Sequence, residues 1–194
     1  MSLHMLILQL NFGDDTPKYQ GRLNLNPLSH IDPLGFLFLL TAGFGWGKPV
    51  QIDPRNFNGK YSISKSEAIV AAAGPIMNFI LAIISMIIYY AIYRTTSIYA
   101  ITSVWQLALY YIISINIVLG VFNLIPIPPL DGSKILANFL PYKAREWFIR
   151  NEQYFYIAFI LIWITGISTI IISPIIDGVY SGLSWVVTKI FGLF

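Results

Sequence analysis

Asp131 is the residue in this chain whose setting most invites chemistry. It lies in FNLIPIPPLDGSKIL, residues 122–136, where three prolines and a carboxylate follow an apolar run long enough to cross a bilayer. An ionisable group at the edge of a membrane reads as a metal ligand or a proton-handling group. Leu-Asp-Gly is also ordinary turn chemistry, and Asp131 then serves as the N-cap of a helix over GSKILANFL. Spacing alone leaves both readings open. Pro126, Pro128 and Pro129 cannot continue a helix and restrict the residues before them, so an extended chain is expected there. Nitrogen ligands are scarce: His4 and His30 are the two histidines, and the absence of cysteine excludes thiolate metal sites and disulfides.

The elements that must position Asp131 are hydrophobic. The chain is 56% hydrophobic and 11% charged, with a mean hydropathy of +0.68, whereas soluble domains carry about 25% charged residues. Residues 67–93 form a long apolar run with one Gly-Pro interruption, and 101–122 and 154–173 contain no charge at all. About 20 residues at roughly 1.5 Å rise cross a hydrocarbon core of about 30 Å, so each is read as a transmembrane helix. The expected fold is an all-α membrane protein, a polytopic helical bundle forming a single membrane-embedded domain over residues 1–194.

Shorter segments complete the expectation. Residues 33–47, PLGFLFLLTAGFGWG, read as a re-entrant or shallow insertion near the membrane interface. KYQGRLNLN at 18–26 and KPVQIDP at 48–54 alternate enough to predict short β-strands, so 13–66 is a strand and re-entrant region. Residues 175–194, with Tyr180, Trp185 and Lys189, read as an interfacial tail. Pro75 inside the first span marks a kink, with Gly74 allowing close helix approach. Met1 leads into SLHMLILQL without a basic n-region or a small-residue cleavage site, so no signal peptide is expected.

Charge gives orientation and excludes one class of partner. Lys48, Arg55, Lys60 and Lys65 precede the first span, and Lys134, Lys143, Arg145 and Arg150 separate the second from the third. Both clusters fall on one side, which the positive-inside rule makes cytoplasmic, so loops 45–66 and 131–152 are expected there in a cell-membrane protein. The net charge of +3 comes from scattered basic residues, and no nucleic-acid partner is expected.

NLIPIPPLDG at 123–132 resembles the Asn-x-x-Pro-x-Pro-x-x-Asp-Gly signature of the site-2 protease family, the intramembrane zinc metalloproteases. GDDTPKYQGRLNLNPLSHIDPLG at 13–35, GWGKPVQIDPRNF at 45–57 and AAAGPIMNFILA at 71–82 resemble its small prokaryotic branch, in the same order. The resemblance covers the chain from Gly13 to about Leu140. It implies membrane helices around one zinc ion, held by two histidines of an H-E-x-x-H helix and by the aspartate of the Asp-Gly motif. Two histidines four apart share a helix face, a carboxylate adds a third ligand, and an open fourth position holds water. The glutamate takes the water's proton as it attacks a metal-polarised peptide carbonyl. By resemblance Asp131 is the third metal ligand, and Asn78 and Asn123 stand where relatives keep amides that orient substrate or an oxyanion. A helix–helix hydrogen bond is the alternative for each asparagine. Strands bordering the cleft would capture an unwound substrate by strand addition. The implied partners are single-span membrane protein substrates within the lipid bilayer.

One departure from the family is decisive. No H-E-x-x-H occurs in the 194 residues. The family's spacing, counted back from Gly13, puts the second histidine at Met5, the first at Met1 and the glutamate at Ser2. His4 is one position out of register. Three readings compete: a late start that leaves residues 1–12 as a remnant of the catalytic helix, a natural non-catalytic relative acting as a membrane adaptor, or an alternative metal site from His4, His30 and Asp131. His30 has a simpler role as a hydrogen-bonded structural histidine. With the general base missing, the chain is expected not to hydrolyse peptides efficiently. A small transporter is the rival class, but internal repeats are absent and no expected span carries a carboxylate at its centre.

Overall fold

Residues 3–21, 23–24, 26–42, 47–48, 53, 56–95 and 104–190 are described by the structure, a computed structural model. Nine α-helices are found among them: α1 (Leu3–Asn11), α2 (Thr16–Tyr19), α3 (Pro33–Ala42), α4 (Ile63–Thr95), α5 (Val104–Asn123), α6 (Asp131–Phe139), α7 (Tyr142–Arg150), α8 (Glu152–Ile164) and α9 (Ile167–Ile190). A 3₁₀ turn covers Pro27–His30. The chain divides into two compact units, Met1–Gly74 and Pro75–Phe194.

In the first unit α1 buries Met5 and Gln9, four residues apart on one helical face, and Phe12, just past the helix end, is buried with them. Met5 and Phe12 pack with Val70 and Ala73 of α4. Gly13, at φ +92°, ends α1 in a conformation that glycine adopts without steric penalty. α3 starts where Asp32 Oδ1 accepts the Gly35 N–H at 2.8 Å. Its ten residues extend about 15 Å, half of a hydrocarbon core. Residues 43–46, the glycine-rich end of the expected re-entrant segment, lie outside the described residues.

The expected strands do not form among the described residues. Lys18 and Tyr19 belong to α2, and Gly21 turns at φ +63°. Asn24 Nδ2 then donates to Gly21 O, while Asn24 Oδ1 accepts from Asn26 N and Ser29 Oγ. These local side-chain bonds occupy backbone groups that a ladder would need. Most of 48–54 lies outside the described residues, and the pairing seen is one isolated antiparallel bridge, Ile31–Gly47.

The second unit is built on α4 and α5 running antiparallel. Ala82 and Met86 pack with Ile113, Ile117 and Val121, and Val187 of α9 joins them. α9 also packs against α8. Ile63–Ile92, Val104–Asn123 and Ile167–Ile190 are long and apolar enough to cross a membrane. Their outward faces carry large aliphatic side chains such as Ile84, Ile115 and Ile171, as a lipid-facing surface requires.

The third span differs from expectation. The stretch 154–173 is divided: α8 ends at Ile164, Thr165 and Gly166 form a turn with Gly166 at φ +73°, and α9 begins at Ile167. Glycine permits the left-handed conformation that terminates a helix. Thr165 Oγ1 meanwhile caps the carbonyl of Leu161 at 2.9 Å. α9 therefore runs through the segment expected as an interfacial tail. It also places Asp177 inside a span-length helix, which corrects the expectation that no span has a central carboxylate.

Candidate functional site

The site is built where α5 ends. Leu124 N donates to Val121 O and Ile125 N to Phe122 O, at 3.2 and 3.1 Å, so the helix tightens as it stops. The proline loop that follows is folded, not extended: Ile127 N donates to Ile125 O at 2.8 Å and Leu130 N to Ile127 O at 3.0 Å. The Pro128–Pro129 peptide is cis, and Pro128 and Leu130 are buried. Prolines forbid helix here as expected, but short-range hydrogen bonds to the remaining N–H groups curl the chain back on itself.

Gly132 closes the turn. A Cβ built on it would lie 2.3 Å from Leu124 O and 2.5 Å from Ile125 O. The start of α6 therefore rests directly on the carbonyls that end α5, a contact open to glycine alone. This packing sets Asp131 beside the mouth of a span-length helix.

Asp131 is not the N-cap. Leu130 holds that position, with φ −77° and ψ 155°, and makes no side-chain cap bond. Ser133 stabilises the turn, its N and Oγ both donating to Leu130 O at 3.1 and 2.7 Å. Asp131 is the first residue of α6, half-buried, and its carboxylate accepts no hydrogen bond from the described residues. Burial raises its pKa above the ordinary carboxylate value, and the Lys134 ammonium pulls it partly back. A desolvated carboxylate without donors is poised to take up a proton or a cation.

The two amides stand at the same end of the α4–α5 pair. Phe79 meets Gly120 so closely that a Cβ on the glycine would lie 2.8 Å from the ring. Asn78 immediately precedes Phe79, and Asn123 lies three residues past Gly120. Both are half-buried. Asn123 Nδ2 donates to Leu119 O of its own helix at 2.9 Å, not to a neighbouring helix. Asn78 has no hydrogen bond among the described residues.

The histidines contribute less. His30 Nε2 lies 3.0 Å from Asn24 O; a carbonyl only accepts, so this nitrogen carries the proton. His4 lies on α1, and its side chain is outside the described residues. Met5, in register with the family's second histidine, is 1% exposed in the core of the first unit. Among the described residues no three His, Cys, Asp or Glu side chains come together to hold a metal. Asp131 supplies one oxygen donor, and a zinc site with three protein ligands does not fit the described donors.

Sequence reasoning missed Asp14. Its carboxylate is fully buried and accepts from Thr16 N at 3.1 Å, Thr16 Oγ1, Asp53 N at 3.1 Å and Asn56 Nδ2 at 3.4 Å. It ties GDDTP to Asp53 and Asn56. The quoted motif contained it, but Asp14 and Asp15 look alike in sequence and the partners lie 39 and 42 residues away.

Comparison with known proteins places these features in a family. The profile of peptidase family M50 matches residues 91–165, which include Asn123 and Asp131. A Bacillus subtilis (strain 168) protein named "Putative zinc metalloprotease YwhC" is 34% identical over 175 residues, covering 86% of this chain and 75% of that protein. "Putative zinc metalloprotease Rip2" of Mycolicibacterium smegmatis is 26% identical over 160 residues, covering 79% of this chain and 58% of its own length. "Putative zinc metalloprotease spr0242" of Streptococcus pneumoniae is 53% identical over 38 residues, 20% of this chain and 9% of its own. No solved structure matches.

Proposed function

The chain belongs to peptidase family M50, the site-2 protease family, and from that premise we propose that it is a metalloprotease scaffold in the membrane. Its substrates are membrane-spanning proteins, and these 194 residues, which contain no H-E-x-x-H, do not hydrolyse them by themselves; a membrane adaptor that binds such proteins is the alternative. The observation that carries this reading is at Met5. By the family's spacing this position belongs to a zinc-binding histidine, and here a thioether fills it, packed against Phe12, Val70 and Ala73. The general base is missing too: the three glutamates, Glu67, Glu146 and Glu152, are not followed by His at the required spacing. Peptide hydrolysis by this family's chemistry needs a proton acceptor beside the attacking water.

Asp131 is the metal-directed donor that remains, and Asn78 and Asn123 are the amides nearest to it by the resemblance. Relatives named as zinc metalloproteases support zinc as the family's ion. Among the described residues one carboxylate is too small a donor set to retain it. The partners we assign are single-span membrane proteins within the bilayer. In sequence, Lys48, Arg55, Lys60 and Lys65 precede the Ile63–Ile92 span or open it, and Lys134, Lys143, Arg145 and Arg150 follow the Val104–Asn123 span; this charge pattern supports the cytoplasmic assignment of loops 45–66 and 131–152 in the cell membrane. A strand over 48–54 that captures an extended substrate segment belongs to the same proposal.

The test is proteolysis in vesicles. The full chain and its Asp131→Ala variant are reconstituted with zinc and a fluorescent single-span protein. Equal, background-level cleavage is expected from both. Cleavage by the unmodified chain that Asp131→Ala abolishes would sink the non-hydrolytic reading.

A further inference from the structure

Asp177 sits at the middle of a helix otherwise suited to lipid. It is the eleventh of the 24 residues of α9, and Lys189 is the helix's one other charged residue. Its Cα lies about 15 Å along a helix about 36 Å long. α9 turns Ile172, Ile176, Val179 and Leu183 toward the core of the second unit, and on that side Tyr90 Oη and Ser184 Oγ share a hydrogen bond of 2.6 Å. Asp177 lies away from this core. It is exposed and has no partner among the described residues.

Hydrocarbon can neither solvate a carboxylate nor neutralise it, so ionisable groups at such depth face a bundle interior, a cavity or a partner. Asp177 faces none of the described helices of the second unit, which argues against an ion path through that unit and for a partner outside it. The neighbouring surface is shaped for close approach. Gly178, Ser181 and Gly182 lie beside Asp177 on the outward face, and a Cβ on either glycine would meet nothing within 4 Å. Small residues let a second backbone approach, and a polar group beside them then finds its partner across the contact.

Charge selects the occupant. A second copy packed on the same face by two-fold symmetry would set Asp177 against its own image, a like-charge contact. A lysine or arginine from a different helix neutralises it and supplies hydrogen bonds. We propose that the Asp177 face of α9 receives a membrane-spanning helix of another protein that carries a basic side chain near its midpoint. This assignment is independent of Asp131 and of zinc, so hydrolysis found or not found leaves it unchanged.

The experiment uses the donor-labelled full chain in phosphatidylcholine vesicles. Acceptor-labelled synthetic Leu/Ala transmembrane peptides carry Lys, Leu or Asp at the centre. Energy transfer should show the Lys peptide associating about tenfold more tightly than the Leu peptide. Asp177→Asn should remove that preference, and Asp177→Lys should move it to the Asp peptide. Equal association of the Lys and Leu peptides with the unmodified chain would overturn the proposal, whether or not the variants fold. So would a Lys preference that survives in Asp177→Asn, or transfer between two labelled copies that Asp177→Asn abolishes, which would assign the face to self-association.

Discussion

Gly132 rests on the carbonyl of Leu124: a Cβ at position 132 would stand 2.3 Å from that oxygen. No rotamer relieves such a contact, because both partners are backbone. Gly132→Ala must push α6 off the end of α5 and carry Asp131 with it. Overpacking of this kind costs about 1–3 kcal/mol. Thermal unfolding in detergent should show a clear drop in Tm, and an unchanged Tm would mean that the α5–α6 turn is looser than described.

Phe79 and Gly120 make the matching contact between two spans. A Cβ on Gly120 meets the Phe79 ring at 2.8 Å, but here the obstacle is a side chain that can be shortened. Gly120→Ala alone should destabilise by about 1–2 kcal/mol. Combined with Phe79→Leu it should lose less than the sum of the two single changes, because the introduced methyl fills the space that the ring vacates. Strict additivity in a double-mutant cycle would place the two residues apart.

Asp14 holds the first unit's loops through bonds to Thr16, Asp53 and Asn56. Hydrogen bonds to a charged acceptor contribute about 1.5–3 kcal/mol. Asp14→Ala should therefore destabilise the first unit and expose the stretch near Asp53 to proteolytic nicking. Limited proteolysis with mass mapping checks this. Cleavage as slow as in the unmodified chain would contradict the role.

Asp131 predicts a pH dependence with a definite sign. Burial raises its pKa in the folded chain, so the folded state favours the protonated carboxyl. Its contribution is fully present below the unfolded value, about 3.9, and is lost as pH rises through the folded value. Asp131→Asn should thus be more stable than the unmodified chain at neutral pH in chelator. That advantage should shrink as pH falls toward the unfolded value. An advantage that grows on acidification would reverse the assignment.

The sequence carried the parts of this fold that depend on composition. α4 and α5 overlie apolar runs that charge and length mark out, and Asp131 stands out because a carboxylate follows three prolines. Helix boundaries within uniformly apolar sequence were not legible. Residues 154–173 have no charge to signal a stop, and the break falls on Gly166 because its backbone can take φ +73°. Moving the span to Ile167–Ile190 is what brings Asp177 into a helix long and apolar enough to cross a membrane. The turn at Asn24 was hidden for a related reason: alternation suggested a strand, while the asparagine side chain bonded its own backbone. Long-range polar ties such as Asp14–Asp53 leave no mark in local pattern.

Zinc per chain tests the account most directly. Inductively coupled plasma mass spectrometry on detergent-purified full chain, beside Asp131→Ala, measures it without assuming a substrate. A scaffold with one carboxylate donor and methionine in a histidine's place should hold far less than one zinc per chain in both proteins. Zinc near one per chain that falls in Asp131→Ala would contradict the account, and would mean that Asp131 still ligates metal with nitrogen donors from His4 or His30.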